Sequence, residues 1–222
     1  MDEVRLVEVK QEIMADNVMQ SDELRNSLKK KGTFLINLMS SPGAGKTSFI
    51  LKTIEYVSSN IRMGVIEADI DSKVDAEKIA AHGVQAVQVR TGGFCHMDAN
   101  MVTKGVEALD LDGLDLVILE NVGNLVCPAE FDTGAFRNIM LLSVPEGDDK
   151  PLKYPLMFSV ADVLIIHKTD CLELSDFDLV AAAERARRLN PKIKIFEVSS
   201  KTGQGHKDWS NWLLNEINCF QN

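Results

Sequence analysis

Cysteine is scarce in this chain of 222 residues: four thiols, at Cys95, Cys127, Cys171 and Cys219, with no regular spacing. That is no disulfide framework, and it points to a reducing compartment, the cytoplasm. Positive charge is also short. Lys and Arg number 24 against 33 Asp and Glu, a net charge of −9. Such a balance argues against a nucleic-acid partner, which needs a basic face. No apolar run approaches the length of a membrane span. The first residues carry Asp2 and Glu3 and no apolar core of signal-peptide type, so a soluble intracellular protein is expected. There is no internal repeat and no linker that would split the chain. Hydrophobic residues make up 45%, enough for a proper globular core in one α/β unit.

The order of elements is readable from periodicity. Val4, Leu6, Val7, Ile13, Met14, Val18, Leu24 and Leu28 recur at helical spacing, which predicts one or two amphipathic helices packing on the domain. From Thr33 onward strands and helices alternate. Strands are predicted at 33–39, 62–68, 84–90, 115–120, 137–143, 162–167 and 193–198, and helices at 46–58, 72–82, 98–108, 176–189 and 206–219. Alternation of this kind implies a mostly parallel sheet with helices on both faces. Residues 144–157 carry three prolines and a run of charge, and read as a long surface loop or lid.

The loop after the first strand reads Ser40-Ser41-Pro42-Gly43-Ala44-Gly45-Lys46-Thr47-Ser48. It matches the phosphate-binding pattern G-x-x-x-x-G-K-[ST] except that Ser40 replaces the first glycine. Gly43 and Gly45 let backbone N–H groups turn toward phosphates, Lys46 reaches the β- and γ-phosphates, and Thr47 supplies a hydroxyl to Mg²⁺. The bland alternative is a glycine-rich turn with a chance lysine. Carboxylates near the Mg²⁺ or the attacking water are expected from Asp69, Asp75 and Glu120, while Asp71 reads as a solvated charge. Glu120 opens the most informative stretch, Glu120-Asn121-Val122-Gly123-Asn124-Leu125-Val126-Cys127-Pro128. A carboxylate ends a buried strand, Gly123 can offer its N–H to a γ-phosphate, and a thiol follows at Cys127. Asn124 stands where a catalytic glutamine would follow, so slow hydrolysis is expected.

His167-Lys168-Thr169-Asp170 ends a predicted strand where GTP-binding proteins carry N-K-x-D. A carboxylate at Asp170 accepts from the two donors on the Watson–Crick edge of guanine, and adenine lacks that pair. Lys168 would lie over the base. Ser199-Ser200-Lys201, after the last strand, resembles the serine-lysine loop that brackets guanine from the other side. His167 replaces asparagine. It is expected to donate to N7 of the base but not to brace the neighbouring loop as an amide does. Cys95 and His96, in Thr91-Gly92-Gly93-Phe94-Cys95-His96-Met97-Asp98, together with Cys127 make a soft ligand set suited to Zn²⁺ or Ni²⁺. Three ligands leave a position open, or two chains could pool theirs across a two-fold axis. The alternative is two buried cysteines and a surface histidine. Cys171 and Cys219 read as packing residues, and His82 and His206 as solvent-facing or helix-surface histidines.

Taken together, SSPGAGKT, TGGFCHMDA, ENVGNLVCPAEFD, EGDDKPLKYP and HKTD closely resemble the HypB family, the nickel-insertion GTPases of [NiFe]-hydrogenase maturation. The resemblance implies a three-layer α/β P-loop fold, with residues 31–222 as the GTPase domain and residues 1–30 as a helical extension. It implies GTP and GDP as ligands and GTP-dependent homodimerisation, with Ni²⁺ or Zn²⁺ held at the dimer interface by the positions matching Cys95, His96 and Cys127. Implied partners are a HypA-type metallochaperone and, through it, the hydrogenase large subunit. Residues 1–30 contain no Cys and no His, so the N-terminal nickel store of many HypB proteins is not expected. Rival readings are an accessory GTPase for another metalloenzyme such as urease, a P-loop small-molecule kinase or ligase, and a structural Zn²⁺ dimerisation module. The urease accessory signature Cys-Pro-His is replaced here by Cys127-Pro128-Ala129.

Overall fold

The computed structural model describes residues 9–69 and 74–222. Asp71, and Val4, Leu6 and Val7 of the N-terminal periodic run, lie outside the described residues. The described residues begin with a long helix, α1 (Val9–Lys31), and strands and helices then alternate. The strands are β1 (Phe34–Ser40), β2 (Met63–Asp69), β3 (Gln85–Arg90), β4 (Leu116–Glu120), β5 (Arg137–Ser143), β6 (Val163–His167) and β7 (Lys194–Val198). The helices between and after them are α2 (Lys46–Val57), α3 (Val74–Ala80), α4 (Ala99–Glu107), α5 (Lys150–Lys153), α6 (Pro155–Val160), α7 (Leu179–Leu189) and α8 (His206–Gln221). All seven strands pair in parallel in the order β3-β2-β4-β1-β5-β6-β7.

Burial on both faces explains the near-continuous apolar strands, since a parallel sheet covered by helices leaves no face to water. All seven residues of β1 are buried. Ile36 and Leu38 point to a core shared with α2, α3 and α8, where Phe49, Ile79, Trp209 and Leu213 pack. Leu35 joins Leu24 and Leu28 of α1 and Val102 and Val106 of α4 on the opposite face. The third core, around Met140, Leu142, Leu164 and Ile166, is closed by α6 and α7.

Two expectations are corrected here. The packing face of α1 runs through Asn17, Ser21, Leu24 and Leu28, whereas Val18 is exposed. The polar members of that face are there for hydrogen bonds: Asn17 Oδ1 accepts from the Ala99 N–H (2.9 Å) and its Nδ2 donates to the Asp132 carbonyl (2.9 Å). Residues 144–157 are not a surface loop. They form a 3₁₀ turn (Val144–Glu146) and two short helices, each with a proline in its first turn, where the missing N–H costs nothing. Val144, Met157 and Phe158 are buried members of the third core, and Pro151 is buried as well.

Chain order reverses at β1. From β1 the chain crosses to β2 and β3, returns to insert β4, and then continues on the other side with β5. The crevice beyond the carboxyl ends of β1 and β4 is therefore the topological switch point, where ligands bind in open parallel sheets.

Candidate functional site

At that crevice the loop between β1 and α2 turns through Gly45, which has φ 103° and precedes the first residue of the helix. Nothing larger fits: a Cβ there would lie 2.8 Å from Cε1 of His167. Lys46 folds back so that Nζ donates to Ser40 Oγ (3.2 Å), which gives the serine at the atypical first position a partner inside the loop. Ser41 donates to Glu146, tying the loop to the turn after β5. A cleft of about 400 Å³ opens beside the loop. Gly43, Lys46, Thr47, Glu67, Glu120 and Gly123 are among its lining residues.

Glu67 of β2 and Glu120 of β4 are register partners on adjacent strands, so their carboxyl groups meet at the cleft floor. Both are buried, and Glu67 Oε1 and Glu120 Oε2 have no hydrogen-bond partner. Burial pushes both carboxyl groups well above the usual range; the neighbouring Glu120 reinforces this for Glu67, while Lys46 and Thr47 oppose it for Glu120. Thr47 Oγ1 donates to Glu120 Oε1 (3.2 Å). One hydroxyl and two carboxyl groups, each carboxyl with one unpartnered oxygen, below a cationic loop fit a hard, oxygen-seeking dication such as Mg²⁺. Asp69 is exposed at the rim, and Asp75 lines the same cleft while bonded to Lys78 (2.7 Å). Glu67 is the residue that reading of the sequence missed. Its pairing with Glu120 follows from β2 and β4 being neighbours although β3 lies between them in the chain.

The base-side residues gather at the ends of β6 and β7. Lys168 adopts a left-handed conformation (φ 59°), and its Nζ donates to the Gly43 carbonyl (2.8 Å), lying across the phosphate loop. Asp170 accepts from Ser199 Oγ (2.6 Å) and faces the exposed Lys201 at 3.9 Å. The Ser199 hydrogen bond holds its carboxyl below the usual range, so it stays an acceptor. The expectation for His167 is reversed. Its Nδ1 is 2.9 Å from the Ala44 carbonyl and its Nε2 is 2.7 Å from Ser200 Oγ. Both ring nitrogens are engaged by protein, so the imidazole braces the phosphate loop and has no N–H left for a base. His206 also departs from expectation, being fully buried, whereas His82 is exposed. Cys171 is half-buried against the third core, while Cys219 is exposed and is not a packing residue.

The soft-ligand trio does assemble. Cys95, His96 and Cys127 place their ligand atoms within 4.8 Å of one another. The two sulfurs are 2.9 Å apart, and Cys95 Sγ is 3.9 Å from His96 Nδ1. Cys95 is exposed and Cys127 partly so, contrary to the buried-cysteine alternative. The His96 ring stacks on Phe131 (3.8 Å between centroids), and burial lowers its pKa, which favours the neutral, ligating form. Two sulfurs and an imidazole suit a borderline-soft cation.

The segment between Glu120 and Cys127 touches both sites. Gly123 packs so closely on the phosphate loop that a Cβ would stand 2.9 Å from Pro42 Cα and N. Asn124 donates its N–H to the Ser40 carbonyl (2.8 Å) and its side-chain amide to the Cys95 carbonyl (3.4 Å). Asn121, fully buried, accepts from the Met97 N–H (3.2 Å) and donates to Asn37 of β1 (3.0 Å).

Comparison with known proteins agrees with this geometry. Residues 34–197 match the family model described as the CobW/HypB/UreG nucleotide-binding domain. Hydrogenase maturation factor HypB of Azotobacter chroococcum is 47% identical over 211 residues, 94% of this chain and 68% of that protein. The crystal structure of HypB from Helicobacter pylori in complex with nickel superposes with a TM-score of 0.88 at 39% identity, covering 91% of this chain and 95% of that one. HypB from Archaeoglobus fulgidus gives a TM-score of 0.85 at 35% identity, covering 91% and 99%. The chain therefore belongs to the HypB family of hydrogenase maturation factors, within the CobW/HypB/UreG nucleotide-binding proteins.

Proposed function

We propose that this chain is a slow GTPase of the cytoplasm that controls nickel delivery to [NiFe]-hydrogenase by switching between association states. Residues 31–222 are the GTPase domain and residues 1–30 an extension of it. Loop residues 41–48 would cradle the phosphates, with Lys46 at the β- and γ-phosphates. Thr47, Glu120 and Glu67 would hold Mg²⁺, with Asp69 at the rim; bound there, the ion neutralises charge on the phosphates. The Gly123 N–H faces the γ-phosphate, and Asp75 orients the attacking water. Asp170 reads the base from one side, and Lys168 and the Ser200–Lys201 loop enclose it. Nickel, or zinc, is cargo taken by Cys95, His96 and Cys127, with further ligands from a second copy of the chain or from a HypA-type metallochaperone.

The observation that carries this reading is the connector from Glu120 to Cys127. Asn124 bonds to both the phosphate loop and the Cys95 loop, which supports the reading that a change at the γ-phosphate repacking Gly123 also moves the thiols. Coupling of this kind is reciprocal and typically worth ~1–3 kcal/mol, about 5- to 150-fold in affinity. The test is chain mass in solution with and without a non-hydrolysable GTP analogue and Ni²⁺, together with nickel affinity of the analogue-loaded Cys127→Ala variant. Dimers that appear only with the analogue, and nickel binding at least ~10-fold weaker in the variant, are expected. Unchanged affinity removes Cys127 from the site, and preference for ATP over GTP ends the GTPase reading. A second target has specific support: a relative from H. pylori, 39% identical over 212 residues, bears the name hydrogenase/urease maturation factor HypB. Deleting the gene and assaying both enzymes in the host separates the two.

A further inference from the structure

His206 has no place in the reading above, yet it is a fully buried imidazole on the first residue of α8. Its Nε2 lies 3.1 Å from Ser200 Oγ, and Ser200 Oγ lies 2.7 Å from His167 Nε2. His167 Nδ1 in turn lies 2.9 Å from the Ala44 carbonyl in the phosphate loop. The proton positions follow by elimination. A carbonyl only accepts, so His167 carries its proton on Nδ1. A neutral ring then has a bare Nε2, which accepts from the Ser200 hydroxyl. The serine oxygen accepts from His206 Nε2–H. His206 Nδ1 is left as a buried atom with no hydrogen-bond partner, so a second proton there would have no acceptor.

We propose that His206, Ser200 and His167 form a directional hydrogen-bond relay that locks the base-side loop to the phosphate loop, making His206 and Ser200 positioning residues for the bound nucleotide. The inference rests on the guanine-nucleotide reading of the same cleft. Ser199, next in chain to Ser200, holds Asp170, so one two-serine step orients the base acceptor and the phosphate-loop brace together. Helix α2, which leaves the phosphate loop, closes over the relay. Phe49 meets the His167 ring edge-on at 6.0 Å and the His206 ring at 5.4 Å, and Tyr56 stacks on His206 at 5.9 Å. The charged neighbours are Lys168 and Asp170 at His167 and Lys52 and Glu55 at His206. Burial keeps both rings neutral, His206 titrating only at about 4. An asparagine at position 167 could brace Ala44 and accept from Ser200, but only imidazole extends the chain with aromatic packing on Phe49.

The test combines fluorescent-GDP titrations with side-chain ¹⁵N NMR of the full chain. H206F and S200A should each weaken GDP binding about 3- to 10-fold, the value of one neutral hydrogen bond. H167A should lose at least as much, H167N should recover most of that loss, and the H167A/H206F double variant should bind no more weakly than H167A. In the unsubstituted protein, His167 should appear as the Nδ1–H tautomer and His206 as the Nε2–H tautomer, a result that needs no variant to fold. GDP affinity within twofold in folded H206F, additive losses in the double variant, no rescue by H167N, or the opposite tautomers would each overturn the relay. Competition of GDP against ADP on the unsubstituted protein separates the two ideas. Preference for ADP defeats the guanine reading, whereas preference for GDP with unaffected relay variants defeats only the relay.

Discussion

Gly123→Ala isolates the connector with the smallest possible perturbation. The added methyl would stand 2.9 Å from Cα and N of Pro42 and 3.1 Å from its Cγ. Ordinary carbon–carbon contact begins near 3.5 Å, so the two backbones must part by about 0.6 Å. Neither can yield freely. Pro42 lies in a loop pinned by Ser41 on Glu146 and Lys168 on Gly43, and residue 124 is bonded to the Ser40 carbonyl. Gly123 does not have a positive φ, so alanine brings no backbone strain of its own and the effect is steric. Overpacking of this size costs about 1–3 kcal/mol. If it falls on the nucleotide-bound form, that is about 5- to 150-fold in affinity. Calorimetric titration of GDP and of a non-hydrolysable GTP analogue should show the larger loss for the analogue, whose γ-phosphate the Gly123 N–H would meet. Nickel affinity without nucleotide should be unchanged, and its dependence on nucleotide should be lost. Binding of both nucleotides within twofold of the parent chain would refute the idea that this contact transmits the phosphate state.

Three further outcomes are expected. Glu67→Gln should flatten the pH dependence of metal-free stability. Burial holds the Glu67 carboxyl far above its ordinary 4.5, so the folded chain keeps a proton that the unfolded chain releases. That stabilisation is present below about pH 4.5 and is lost as pH rises, so the parent's melting temperature should fall between about pH 5 and 8 while the glutamine variant falls less. An equal slope for both would count against the carboxyl pair. Asp170→Asn turns an acceptor into an amide that can donate. GDP affinity should drop by at least ~100-fold while xanthosine diphosphate, with a carbonyl at that edge, gains, as competition binding would read; an undiminished GDP affinity would remove Asp170 from the base site. Thr53→Val strands the indole N–H of Trp209, which is fully buried and bonded to Thr53 Oγ1 at 3.0 Å. Urea unfolding should report a loss of about 1–3 kcal/mol, and a change below 0.5 kcal/mol, roughly the floor for a buried hydrogen bond, would mean the indole finds another partner.

Local pattern was enough for most of the architecture, because β1, β4 and β6 are runs buried on two faces, while the edge strands β3 and β7, more polar and only partly buried, still alternate with helical segments. It misread residues 144–157, where proline and charge imitate a loop although Val144, Met157 and Phe158 supply a buried face. The phosphate loop, the carboxylate of Glu120 and the trio Cys95, His96 and Cys127 were legible as residue types in order. Asp69 against Glu67 was not legible. Strand alternation offers both residues, and only the β2–β4 register puts Glu67 opposite Glu120 and leaves Asp69 at the rim.

The chain's own order of residues therefore determined what chemistry is available: a glycine-lined cation loop, acceptors for a base, and a thiol seven residues beyond a strand-end carboxylate. Those depend on composition and short spacing, which survive in the unfolded chain. Tertiary structure decided which groups meet: Glu67 with Glu120, Cys95 with Cys127, and His206 with His167 through Ser200. Each of these pairs joins segments separated by at least 32 residues, as with the two cysteines, and their encounter is set by sheet order and helix packing that no local periodicity encodes.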